Sequence, residues 1–181
     1  MKKILLIAAF SIALLSCSSQ VDLAIDNPTM NPVIVKIDTL AVEIPAREVV
    51  WVEMGKGKHT VTTEDNNTVE YDFQKSLYMI NPTLSQYLEY QEIYGRPSPF
   101  DQQINSNSEQ TVNFLGMEMT GNYKVYDKLI TPVTWDCGPR EALPETIEIE
   151  EGESSVVLTK LLDPIEFIEL VQAADSESNA E

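Results

Sequence analysis

The stretch Trp51–Val61, WVEMGKGKHTV, decides between two very different proteins. Read as a phosphate loop, its Gly-Lys pairs announce a nucleotide-binding enzyme; read as a turn, they join two strands of a β-protein. A Walker-type loop needs a glycine five positions before the Gly-Lys pair and a hydroxyl directly after it. For Gly57-Lys58 those places hold Val52 and His59. The stretch therefore reads as a tight turn whose glycines supply backbone freedom between flanking lysines.

The sequence on either side agrees. Residues 47–54 carry Val49 and Trp51 on one face of a strand and Val50 and Val52 on the other, and His59–Thr63 resumes the alternation. Upstream, Val21–Asp26 runs into the turn signature Asn27-Pro28-Thr29. Pro32 then opens Val33–Ile37, with Val33, Val35 and Ile37 on one face, and Leu40–Ile44 ends at Pro45. Downstream, Asp65-Asn66-Asn67 leads into Val69–Phe73, where apolar and acidic residues alternate, and Leu77–Ile80 closes the series before Asn81-Pro82-Thr83. Short β-branched runs at this spacing predict a β-sandwich.

From Val21 to Ile80, the order of PVIVKID, a short strand ending in proline, VVWVEM and then Gly-Lys-His-Thr-Val resembles the PEGA-type small β-sandwich modules of bacterial envelope proteins. Met54–His59 stands where that family has its hairpin turn. The resemblance implies an immunoglobulin-like or PEGA-like sandwich and a mostly non-enzymatic role.

The second half is expected to be β-rich and closed by one helix. Tyr87–Tyr94 fits a strand or a short helix, and residues 95–110 read as a linker or long loop. Thr111–Met117 and Tyr123–Thr131 read as strands, and Thr146–Ile149 with Ser155–Thr159 as a hairpin about Gly152. Asp163-Pro164-Ile165-Glu166 is a helix start, with an N-cap Asp, Pro at the first helical position and Glu three residues after the cap. Phe167, Leu170, Val171 and Ala174 recur at helical spacing, so this helix is expected to lie against the sheets. The expected division is thus a leader over 1–16, a sandwich domain over 17–94, a second domain over 111–174 and a disordered acidic tail over 175–181.

The leader begins Met1-Lys2-Lys3 and continues without a charge from Ile4 to Leu15. That run is shorter than the roughly 20 apolar residues of a membrane span and fits a signal peptide. It ends Leu14-Leu15-Ser16-Cys17, which resembles the lipobox of bacterial lipoproteins. The resemblance implies cleavage before Cys17 and a lipid anchor, palmitate among its chains, on that cysteine. Ser18 in the next position implies the outer membrane by the family's sorting rules; which leaflet the body faces is left open.

Charge excludes some partners. The chain has 12 basic and 29 acidic residues, a net charge of −17, which repels nucleic acid and anionic headgroups. No cofactor or metal is called for: with Cys17 taken by the lipid, one histidine and one free cysteine supply too few of the usual zinc ligands, and Asp65-Asn66-Asn67 with Glu70 lacks the spacing of a calcium loop. His59, the single histidine, reads as a structural strand residue rather than a catalytic base. Cys137, beside Asp136, reads as a small buried hydrophobe. Tyr87, Tyr90, Tyr94 and Phe100 form the candidate binding surface, because aromatic rings offer large contact area to a protein or a sugar. The expected function is a membrane-anchored, non-catalytic binding or assembly module with an envelope protein partner. The alternatives are a glycan-binding accessory protein and, as the weakest reading, a hydrolase built on His59.

Overall fold

The computed structural model describes residues 20–99 and 109–178; the lipobox, Cys17, Phe100 and the Asn105–Ser108 stretch lie outside them. The strands are β1 (Gln20–Asp26), β2 (Val33–Ile37), β3 (Leu40–Ile44), β4 (Val49–Gly55), β5 (Gly57–Thr63), β6 (Thr68–Phe73), β7 (Leu77–Ile80), β8 (Tyr87–Gly95), β9 (Gln110–Phe114), β10 (Met117–Gly121), β11 (Lys124–Tyr126), β12 (Ile130–Pro132) and β13 (Ser155–Leu162). One helix, α1 (Pro164–Ser178), follows. The protein is mainly β, a sandwich succeeded by a β-rich half that ends in a helix, as its strand patterns predict.

Two four-stranded sheets, ordered β12-β7-β1-β4 and β3-β2-β5-β6, form the sandwich. Its core is what two-residue alternation dictates. Val21, Leu23 and Ile25 of β1 and Tyr78 and Ile80 of β7 meet Val35, Ile37, Ile44, Val61 and Phe73 of the facing sheet. Phe73 packs edge-on against Tyr71 and Tyr78, with ring centroids 4.8 and 5.0 Å away.

The Trp51–Val61 stretch is not the hairpin turn expected of it. β4 pairs with β1 and β5 pairs with β2 and β6, so the chain leaves one sheet at Gly55 and enters the other at Gly57. It is a corner, a strand passing from one sheet to its partner through a bend at Lys56. Gly57 sits at φ 124°, a conformation a side chain would resist.

At the other end of the sandwich lie two matching loops. β1 and β7 run parallel, with Ile25 beside Ile80, and continue into Asn27-Pro28-Thr29-Met30-Asn31 and Asn81-Pro82-Thr83-Leu84-Ser85. Both asparagines are fully buried. Each donates through Nδ2 to the carbonyl four residues on, at 2.8 Å in both loops. Each also accepts the following threonine hydroxyl on Oδ1. Asn27 reaches further, donating to the Ile44 and Pro45 carbonyls, and so ties the end of β3 to the opposite sheet.

The second half differs from its expected layout in five places. Thr111–Met117 is not one strand but parts of the β9–β10 hairpin, turning at Leu115 and Gly116, both at positive φ. Tyr123–Thr131 divides into β11, which pairs with β8, and β12, which pairs with β7 in the sandwich. Residues 146–149 form no strand; β13 pairs with β8 along eight residues instead. The two halves therefore share strands, and Leu129 and Ile130 enter the sandwich core. The helix start is the expected capping box: Asp163 Oδ1 accepts the amides of Ile165 and Glu166, and Glu166 Oε2 accepts that of Asp163. Its apolar face does not lie against the sheets. Phe167 is buried against Phe114, whereas Leu170 and Val171 are exposed, because only the first turn docks and the rest projects past the strands. The helix also continues beyond Ala174, through Ser178.

Candidate functional site

Even-numbered residues of β1 point away from the sandwich core. Ala24 and Asp26, with Leu77 and Met79 of β7 and Val49 and Trp51 of β4, form the outer face of that sheet. The segment from Val133 to Glu141 crosses this face and leaves a cleft of about 440 Å³. Trp135 closes one wall, 8% exposed and edge-on to Tyr126, with ring centroids 5.3 Å apart. Trp51, on the open side, is 59% exposed.

Two of the chain's three arginines meet at the end of the cleft. Arg140 donates to Asp26 and, at 2.5 Å, to Asp163; Arg47 donates to the other oxygen of Asp163 at 2.8 Å. The Tyr87 hydroxyl donates to the second oxygen of Asp26. Both carboxylates are essentially inaccessible, Asp26 at 1% and Asp163 at 0%. Such charges persist inside a protein only when paired and hydrogen-bonded. Here every carboxylate oxygen has a donor. Both arginines also sit at φ 61°, in the left-handed region, so the local backbone is strained where the two guanidiniums converge. Burial pushes the Asp26 carboxyl above the ordinary carboxylate range, with Arg140 and then the Tyr87 hydroxyl pulling it back. The Tyr87 hydroxyl is pushed well up by burial and next by the Asp26 charge.

This network joins the halves. Asp26 and Arg47 belong to the sandwich, Arg140 and Asp163 to the segment that leads into α1. Met79, Tyr87, Trp135 and Leu161 form an apolar cluster at the same junction.

The residues singled out from sequence scatter differently. Tyr87 is fully buried, so it offers no contact surface; its ring fills the junction and its hydroxyl serves Asp26. Tyr90 and Tyr94 lie on the opposite face of β8, half-buried, and the Tyr94 hydroxyl donates to the Pro144 carbonyl at 2.6 Å. Phe100 and Cys17 lie outside the described residues. Cys137 is half-exposed rather than buried and makes an isolated bridge to Lys160. His59 braces the corner between the sandwich sheets: Nδ1 lies 2.7 Å from Asp38 Oδ2 and Nε2 lies 2.9 Å from the Gly55 carbonyl. Asp38 in turn accepts the Thr60 amide, and that bond, followed by the His59 contact, holds its carboxyl below the ordinary range.

Asp26, Arg47, Arg140 and Asp163 were missed as a group because pairs separated by over a hundred residues leave no local pattern. The available signal was the scarcity of arginine, three in the chain, and it does not single out Arg47 and Arg140 from Arg96. Compared with models of protein families, with curated proteins and with solved structures, the chain matches none.

Proposed function

We propose that this chain is a lipid-anchored cell-envelope module that binds a partner at the outer-face cleft and carries out no chemistry of its own. The anchor rests on Leu14-Leu15-Ser16-Cys17, and Ser18 directs it to the outer membrane. The binding role rests on one observation: a large aromatic side chain, Trp51, stands in solvent at the mouth of a cleft whose other wall is Trp135. An exposed tryptophan beside a partly desolvated apolar wall is the composition of an interface anchor. His59 lends no support to hydrolysis, since its ring nitrogens face a carboxylate and a carbonyl, and a base of that kind needs a nucleophile within reach. Glycan binding would call for a platform of exposed rings; Tyr87 and Trp135 are buried and Tyr90 and Tyr94 half-buried, so among these described rings Trp51 is the one that stands in solvent.

Two experiments test this. Labelling cells with a palmitate analogue should mark the wild-type chain and not Cys17→Ser; equal labelling of both would overturn the anchor. Photo-crosslinking from position 51 in intact cells should give one recurrent adduct; adducts spread equally over the surface would overturn the site.

A further inference from the structure

The cleft opens beside a strand edge, and resting on the binding reading above, we infer that β4 accepts an added strand from another polypeptide, apolar on its inner face and basic on its outer face. Hydrogen-bond parity identifies which groups are available. The Asn27 amide donates to the Glu48 carbonyl, and the Asp22 amide donates to the Ser76 carbonyl at the start of β7. With the register Leu23 to Val52 and Ile25 to Val50, Val50, Val52 and Met54 therefore turn their amides and carbonyls toward β1. In an antiparallel ladder the intervening residues turn theirs the other way. Val49, Trp51 and Glu53 thus aim main-chain donors and acceptors at the free edge, where no strand pairs with β4 among the described residues.

The other edges of the sandwich are blunted as edges usually are. β12 is three residues long and ends in Pro132; β3 has five and runs into Pro45; β6 carries Glu70 and Asp72. β4 is seven residues long with Glu53 as its single charge.

Pleating then specifies the occupant. Its inner side chains would extend the half-buried row Val50, Val52 and Met54, which packs on the sandwich core, so they are apolar. Its outer side chains would lie about 5 Å from Val49, Trp51 and Glu53. Glu48, Asp136 and Glu141 line the cleft, where Asp136 accepts from Thr159 and Glu141 from the Gly138 amide, and the Arg47 and Arg140 charges are engaged by Asp26 and Asp163. A lysine or arginine on the outer row stands beside the Glu53 carboxylate and Trp51, a favourable seat for a cation. A second copy of the chain would bring together two bodies of net charge −17, which disfavours self-pairing.

The test uses the cleaved, lipid-free chain and a short fluorescent peptide alternating valine and lysine, with a valine–glutamate peptide as control. Glu53→Pro removes an outward amide without touching the β1 ladder, as an edge strand tolerates. Glu53→Gln keeps the amide and removes the charge. The wild-type chain should bind the lysine peptide and not the glutamate peptide. Glu53→Pro should weaken binding at least about tenfold, and Glu53→Gln only about two- to threefold. Equal binding by Glu53→Pro and wild type at equal thermal stability would overturn the inference. So would indifference to peptide charge, or self-association that Glu53→Pro abolishes. If neither peptide binds, the strand-addition inference fails while the anchor and the cleft stand or fall by the labelling and crosslinking above.

Discussion

The two faces of the β1 sheet are built on opposite principles. The inner face presents Val21, Leu23, Ile25, Tyr78 and Ile80, every one apolar and buried. The outer face presents Ala24, Asp26, Trp51 and Met79, where a buried carboxylate, an exposed ring and an apolar floor sit side by side. The same backbone serves both, because alternate residues point to opposite sides. Apolar burial is concentrated on the inner face, and paired charges on the outer one.

Substitution on the inner face should unfold the protein without changing what it recognises. Leu23→Ala removes a fully buried side chain and should cost about 2–5 kcal/mol, read from urea unfolding, while the folded fraction keeps its affinity for the lysine peptide. An effect on affinity equal to the loss of folded protein alone is the sharp form of this prediction.

Asp163→Ala attacks the outer-face network. It deprives Arg47 and Arg140 of a shared carboxylate and removes the N-cap of α1. A loss of about 3 kcal/mol is expected, since a half-buried cation loses its partner and the helix its cap. Hydrogen exchange should rise first in α1 and β13 and later in β2 and β5.

The network should also respond to pH in a direction unlike that of exposed carboxylates. Because burial raises the folded value of Asp26 above the ordinary 3.8, the folded chain holds its proton longer than the unfolded one. Its contribution to stability therefore falls as pH rises from 3.8 through that raised value. Asp38, whose folded value is lowered, works oppositely: its contribution is present above 3.8 and is lost as pH falls through the lowered value. Comparing unfolding free energies of Asp26→Asn and Asp38→Asn against wild type across acid pH should give differences of opposite slope.

The smallest stability effects belong to the exposed apolar residues. Leu170→Ser, on the projecting part of α1, should leave stability within about 0.5 kcal/mol of wild type. Trp51→Ala should do the same while weakening peptide binding. That separation of stability from binding distinguishes the outer face from the inner one most simply.

Much of the inner face was legible in the sequence because alternation is local. Val33, Val35 and Ile37 announced their common face, as did Val69, Tyr71 and Phe73, and Asp163-Pro164-Ile165-Glu166 announced the capping box. The corner at Gly55–Gly57 was read as a hairpin because two successive strands look alike whether they pair or part. Leu170 and Val171 keep helical spacing, yet spacing does not reveal how far a helix travels along the body before leaving it. Asn27-Pro28-Thr29 and Asn81-Pro82-Thr83 were readable as turns, but that they follow parallel strands and share one wiring required three-dimensional placement. The outer face was the least legible, since Arg47, Arg140, Asp26 and Asp163 come together only after the second half folds back over β1.

Docking at the β4 edge is tested most directly by photo-crosslinking in intact cells from position 53 on β4 and, in parallel, from position 70 on β6. If β4 is the docking edge, the same discrete protein adduct forms from position 53 in replicate preparations, is suppressed by competing lysine peptide, and is absent from position 70. An adduct from position 70 with none from position 53 would contradict it.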